Sequence, residues 1–417
     1  MADRKAIVSW CLYDWANSAY PTVVTTFVFG AYFTKAVAVS PEAGTAAWGY
    51  AVGAAGFAVA LLGPVLGAIA DQGGRRKPWL AVFTVSAALT TALLWFTRPD
   101  PHDAMWALVF VALSSVAFEF GMVFYNAMLP DLVGPDRVGR VSGWGWGLGY
   151  AGGLVCLVIA LFGFVQTETP LFGVSTEAAG HVRAVTLLAA AWFALFALPL
   201  FLFTPDRPAV RLGVLRAIGE GIAALRETLR EIRNYAAILR FLVARMFYAD
   251  GLVTLFAVGG IYAAGTFGMT FGEVVQFGIA LNVTAGIGAF AFAWADDRIG
   301  AKPVIVIALV ALIALGGAAL LVTSKTAFWA VGMGLGVFVG PAQAASRSMM
   351  ARLAPPVMRT EMFGLYALSG KATAFMGPLA FGFTTDLFDS QRAGMATILV
   401  FLAVGLVLLL PVREPHH

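Results

Sequence analysis

The residues able to do chemistry are few, and they stand inside apolar stretches. Asp14, Asn17 and Tyr20 fall in the first such stretch, Glu119 and Asn126 in another, and Asp250, Arg347 and Lys371 in three more. A charge inside a bilayer costs roughly 2.5–3.5 kcal/mol on insertion scales, so each is a candidate for binding or proton transfer. Phe118 and Phe120 flank Glu119, which disfavours its charged form unless a cation pairs with it. Lys371 must pair with an anion, lose its proton, or await an anionic ligand. Both residues fall near the middle of their stretches. A carboxylate and an amine at that depth suit a zwitterion, its ammonium towards Glu119 and its carboxylate towards Lys371 or Arg347. Structural roles stand beside these. Asp14 and Asn17 can cap the helix start or hold a gate, and Asp250 can pair locally with Arg245. Lys371 can bridge permanently to Glu119 or Asp14, and Arg347 can snorkel to headgroups. Tyr20, Tyr125, Gln276, Asn282 and Gln343 offer neutral hydrogen bonds.

Catalytic and metal chemistry find less support. Cys11 and Cys156 lie in apolar stretches with no ligand spacing. Of four histidines, His416 and His417 resemble a tag remnant, which leaves His102 and His181 far apart in expected loops. No phosphate loop or HExxH motif occurs. The reading is not an enzyme, with no cofactor, no metal and no nucleic acid.

The elements that must position these groups follow from composition. Of 417 residues, 60% are hydrophobic and 12% charged, against about 45–50% and 25% in soluble domains. Mean hydropathy is +0.84. One or two soluble cores cannot hide that much apolar surface, so the chain reads as an all-α integral membrane protein. A helix needs about 20 apolar residues to cross a bilayer. Twelve spans are expected, near 10–35, 46–70, 78–97, 105–129, 141–165, 183–203, 240–264, 273–294, 303–323, 327–350, 361–385 and 392–411. The long polar segment 204–239 separates six from six, and its Leu215–Arg233 stretch reads as an amphipathic helix lying along the membrane. The domains are therefore 1–203, the linker 204–239, and 240–417. The first stretch carries Asp14 and Asn17 and lacks a cleavage site, so it does not read as a signal peptide. Twenty-one of the 27 Lys and Arg side with the termini and five with the opposite face, while Lys371 lies within a span. Both termini are thereby expected in the cytoplasm.

The halves echo each other. Tyr13-Asp14 parallels Tyr248-Ala249-Asp250, Ala70-Asp71 through Lys77-Pro78 parallels Ala295-Asp296 through Lys302-Pro303, and Leu132–Gly153 parallels Leu353–Ala374. Six plus six spans with a long link is the layout of a repeat-built transporter. Within span 5, Gly143, Gly145, Gly147, Gly149, Gly152 and Gly153 let two faces approach neighbours closely. Trp144 and Trp146 read as interfacial anchors or as stacking platforms for a solute.

Gly67-Ala-Ile-Ala-Asp71-Gln-Gly-Gly74-Arg75-Arg76-Lys77 is similar to the signature loop of the major facilitator superfamily. Gly67 permits close helix contact. Asp71 can face the positive end of a neighbouring helix, and Arg75 and Arg76 can hold the loop at headgroups. Gln72 replaces the usual Arg, whereas the second copy, Asp296-Asp297-Arg298-Ile-Gly300-Ala-Lys302, restores the Asp-Arg pair. The opening Ser9-Trp10-Cys11-Leu12-Tyr13-Asp14-Trp15-Ala16-Asn17-Ser18-Ala19-Tyr20, with Asn126–Asp131 and Ser142–Gly153, resembles the vacuole-effluxer-like family, whose eukaryotic namesakes export amino acids. The resemblance implies the twelve-helix major facilitator fold in two pseudo-symmetric bundles, with spans 1, 4, 7 and 10 lining a central cavity. It also implies an alternating-access carrier for a small polar or zwitterionic solute, with protons as a candidate coupling ion. The expected setting is a monomer among the lipids of a bacterial inner membrane. Exporters of small organic anions or amphipathic compounds, and a non-transporting receptor or assembly protein, are the alternatives.

Overall fold

A computed structural model describes residues 3–210, 214–230 and 235–414. His416, His417 and positions 231–233 of the amphipathic stretch lie outside them. Every regular element among the described residues is helical. The first half of the chain contains α1 (Arg4–Asn17), α2 (Phe29–Tyr32), α3 (Pro41–Gly73), α4 (Lys77–Leu93), α5 (Ala104–Leu132), α6 (Val138–Ala160) and α7 (Gly180–Phe203). The linker holds α8 (Val214–Arg230). The second half contains α9 (Ala236–Phe267), α10 (Phe271–Ile299), α11 (Ala301–Leu321), α12 (Lys325–Leu353), α13 (Arg359–Lys371), α14 (Met376–Phe388) and α15 (Gln391–Leu409).

Ten helical stretches among the described residues are long and apolar enough to cross a membrane. They answer to expected spans 2–10 and 12. The other two are helical but interrupted. In the first, α1 gives way to π-helical Tyr20–Phe27, then α2, then π-helical Phe33–Val37. Pro21 has no N–H to donate, and the Thr25 hydroxyl bonds back to the Pro21 carbonyl at 2.8 Å, so the regular ladder is lost here. In the eleventh, α13 ends at Lys371 and α14 begins at Met376. Pro378 then sits in the first turn of α14, where a missing N–H costs nothing.

Glycines set how closely the helices approach. On α6, Gly143 and Gly147 face Ala293 and Phe290 of α10, whereas Gly145, Gly149 and Gly152 face Asp14, Ser18 and Trp15. A Cβ at any of them would overlap its neighbour, so the two expected faces are both in use. Between α3 and α13, Gly67 lies on the backbone of Thr360 and Glu361, and Gly63 on Gly364. α8 is amphipathic as expected, but it does more than lie on a membrane. A Cβ on Gly221 would stand 2.7 Å from the Ile69 Cα of α3, while Ile218 and Ile222 remain exposed. One side of α8 is docked on protein.

Candidate functional site

Arg347, on α12 two turns from its C-terminal end, is 1% exposed. Its Nη1 donates to Asp14 Oδ2 of α1 at 2.8 Å and to Asn126 Oδ1 of α5 at 3.4 Å. Its Nε and Nη2 donate to the hydroxyl and carbonyl of Ser142 on α6, at 2.9 and 2.7 Å. The guanidinium lies 4.8 Å from the Trp10 ring, 5.6 Å from Trp146 and 5.7 Å from Tyr125, a cation–π setting. Asn17 donates to the other Asp14 oxygen at 3.4 Å. Gly145 is required here, because a Cβ would overlap Asp14 Oδ2 and stand 2.8 Å from Arg347 Nη2. Three helices of the first half thus satisfy one cation of the second. A buried guanidinium needs that many partners, because each unmet donor would cost its full desolvation.

About two turns further along α5 towards the opposite face, seven residues from Asn126 to Glu119, lies another ion pair between the halves. Lys371 Nζ, at the end of α13, is 2.6 Å from Glu119 Oε1 on α5. Glu119 stands 13 residues before the end of α5, about 20 Å along the helix axis. This pair is open where the first is sealed: its side chains are 34% and 24% exposed. Phe118 packs on the Tyr20 ring at 5.4 Å and Phe120 against Phe83 at 5.2 Å, so the walls beside Glu119 are apolar. Arg245 of α9 approaches the same end of α13. It lies 3.5 Å from the Tyr366 ring and donates to the Tyr366 carbonyl and Ser369 hydroxyl at 2.6 and 2.7 Å.

At the end of the molecule where Asp3 starts α1 and Glu414 meets Arg352, two related latches join the halves. Asp71, closing α3, accepts from the Thr360 and Glu361 amides at 2.8 and 3.0 Å, and so caps the positive end of α13. Arg76 bonds Asp71 at 3.2 Å and also Asp131, which holds Arg207 and Arg359 as well. Burial pulls the Arg76 guanidinium below its ordinary pKa, and the Asp131 and Asp71 carboxylates act against that pull. In the second latch, Asp297 accepts from the Arg140 amide at 3.0 Å at the start of α6. Asp296 bonds Ser348 and, at 2.6 Å, Arg352. Asp206 accepts from the amides of Arg76 and Lys77 at 2.9 and 3.2 Å, and Glu414 does the same for Ala301 and Lys302 at 3.0 and 2.9 Å.

Residues 43–416 match the family described as vacuole effluxer Atg22 like. The chain belongs to that family. An uncharacterized MFS-type transporter of Bacillus subtilis (strain 168), YxiO, is 31% identical over 97% of this chain and 94% of its own length. Autophagy-related protein 22-1 of Penicillium rubens is 25% identical, over 66% of this chain and 49% of that protein, so this chain spans about half the length of that fungal relative. Among solved structures, the transporter FucP in its outward conformation aligns over 99% of this chain and all of its own, with TM-score 0.74 and 15% identity. The human organic anion transporter MFSD10 aligns over 97% of this chain and 99% of its own, with TM-score 0.73 and 14% identity. The fold is that of the major facilitator superfamily, and this Atg22-like chain is an integral membrane protein related to transporters rather than to enzymes.

Several residues singled out in this Atg22-like sequence stand elsewhere than expected. Asp14 does not cap a helix start, since Asp3 does so for α1, and Arg347 does not snorkel. Tyr20 is sealed against α5, its hydroxyl shared with Ser114 and Ser115 at 2.8 Å each. Asp250 makes no pair with Arg245. Its Oδ2 accepts from the Gly377 amide at 3.0 Å. Arg75 and Arg298 are exposed and join neither latch, so the restored Asp-Arg pair of the second loop is not used. Arg352, 221 residues after Asp131, does that work, and the repeat offset was the signal that could have found it. Trp144 packs on the exposed Trp294 at 6.0 Å, and the Trp146 ring lies 5.6 Å from the Arg347 guanidinium. Tyr150 donates to Gln343 Oε1 at 2.6 Å, another bond between halves. A wholly apolar crevice, lined by Leu255, Phe277, Leu312 and Leu402 among others, lies within the second half away from these charges.

Proposed function

We propose that the chain is a secondary carrier that moves a small zwitterionic, amino-acid-like solute by alternating access. In this reading 1–203 and 240–417 are the two moving units and 204–239 joins them. The membrane is a bacterial inner membrane, with the latched end and both termini in the cytoplasm. The observation that carries the solute assignment is the half-exposed 2.6 Å pair of Glu119 and Lys371. Each partner offers one end of a zwitterion its complement, and bound solute replaces the pair bond with two new ones. Arg347 and Asp14 serve as the pin beneath that site. Asp71, Gly67 and Arg76 on one side, with Asp296 and Arg352 on the other, serve as the gate. Arg245 beside the end of α13 favours a second reading, in which two cations hold a small organic anion.

Thermal unfolding of the purified protein against amino acids, betaines, carboxylates and lipophilic cations separates these readings. A ligand at about 100 times its Kd adds about 2.7 kcal/mol to a folded state that alone binds it. Stabilisation by one zwitterion class, absent in Glu119→Gln, is the expected result. Stabilisation by anions alone, retained in Glu119→Gln and lost in Lys371→Ala, would replace the amino-acid reading with the anion one.

A further inference from the structure

Asp250 is a buried acid, 2% exposed, and no Lys or Arg among the described residues forms an ion pair with it. The charges on the helices around it are committed elsewhere. Arg245 is held by Tyr366 and Ser369, Lys371 by Glu119, Arg347 by Asp14 and Arg392 by the Val322 carbonyl. Glu273 is paired with Lys325, and Asp386 is exposed. What Asp250 does touch is the interruption in the eleventh span. Its Oδ2 accepts from Gly377 in the first turn of α14, and its Oδ1 is 3.5 Å from the Thr254 hydroxyl. Gly377 is needed for this fit, since a Cβ there would overlap Thr254 Oγ1 and stand 2.9 Å from Asp250 Oδ1. Thr373, inside the interruption, donates to the Met246 carbonyl one turn before Asp250. Lys371 closes α13 at the other side of the same interruption.

We propose that Asp250 is the coupling-proton site of this carrier, and that its protonation loosens α14 from α9 at the interruption that ends in Lys371. The proposal rests on the carrier reading above and adds where the proton binds. A carboxylate without a cation is expensive in a low-dielectric interior, and here it is held charged by the Gly377 amide, the end of the α14 dipole and a long bond from the Thr254 hydroxyl. Taking up one proton forms one O–H bond and removes the charge that made the amide bond strong. The four residues Ala372 to Phe375 then gain freedom, and Lys371 with them. Solute competing for Lys371 and a proton competing for Gly377 would therefore pull on the same short segment from its two ends, which gives the coupling a contiguous physical path.

The test needs no solute, so it stands apart from the solute assignment. Infrared difference spectra of the full-length protein between acid and alkaline buffer should show a protonated-carboxyl band that is lost in Asp250→Asn and shifted in Asp250→Glu. In parallel, a thiol at Phe375→Cys, a position 61% exposed, should react severalfold faster at acid than at alkaline pH, after correction for thiolate content with a free thiol. That excess should vanish when Asp250→Asn is added and return with Asp250→Glu. An unchanged band in Asp250→Asn, or a pH-dependent excess that survives the substitution, overturns the proposal. If Asp250→Asn fails to fold, a wild-type spectrum with no titrating carboxyl band, or one that Asp250→Glu does not shift, overturns it equally.

Discussion

Of the ion pairs that cross between the halves of this chain, Arg347–Asp14 and Lys371–Glu119 lie within the spans, about two turns apart along α5, and they are built oppositely. Arg347 meets Asp14, Asn126 and Ser142 and has three aromatic rings about it, all in a sealed setting. Lys371 meets Glu119 in a half-exposed one. The difference follows from the cations. A guanidinium offers five donors in a rigid fork and suits a fixed, fully bonded crossing, whereas an ammonium is a compact charge on a flexible stem that exchanges partners readily. Residue type alone would rank the two as equal candidates for solute. Their surroundings separate a pin from a binding site.

The comparison can be broken most directly at the pin. Arg347→Ala leaves Asp14 buried without a cation, at an expected cost of about 3–5 kcal/mol. Loss of a cooperative thermal transition, or of monodisperse protein, is the readout, and normal stability would mean Asp14 has another partner. Arg347→Lys should be intermediate. It keeps the charge but gives up bonds to Ser142, at about 1.5–3 kcal/mol for bonds to a charged group. Thermal unfolding at matched detergent distinguishes it from alanine, and equal damage by the two would show that only the fork geometry matters. Smallest is Lys371→Ala, expected to change stability by about 1 kcal/mol, because both side chains of the pair are partly exposed. A change as large as that of Arg347→Ala would make both pairs pins and remove the basis for assigning solute to one of them.

Much of this arrangement is legible residue by residue. That Glu119 and Lys371 each need an opposite charge was foreseeable because each lies deep in its span, but the sequence offered Lys371 both Glu119 and Asp14. Asp71 was foreseeable as the cap of a neighbouring helix because it ends a helix beside a basic loop. The twofold glycine pattern of α6 also reads directly, since alternate glycines three and four apart share a helix face. Asp250 was the least legible. Its sequence neighbour Arg245 suggested a local pair, but Arg245 faces Tyr366, and Asp250 is capped onto a helix start that exists only because the eleventh span is interrupted. Pro378 marks that interruption, yet an apolar segment of ordinary length gives no reason to expect it at Ala372–Phe375. Arg298 failed for another reason: motif position named the residue, but the side chain that reaches Asp296 is Arg352 of a different helix.

The sequence by itself determined that this chain is helical, lives in a membrane, repeats, and carries a small set of expensive polar residues. It could do so because the bilayer acts on each segment separately, demanding length, apolarity and an internally satisfied backbone. Which charges meet was decided only by the tertiary structure. Asp14 and Arg347 are 333 residues apart, and nothing in either neighbourhood names the other. Their meeting depends on the rotation and register of α1, α5, α6 and α12, which close packing at glycines sets. The same packing leaves Lys371 reachable and Arg347 sealed.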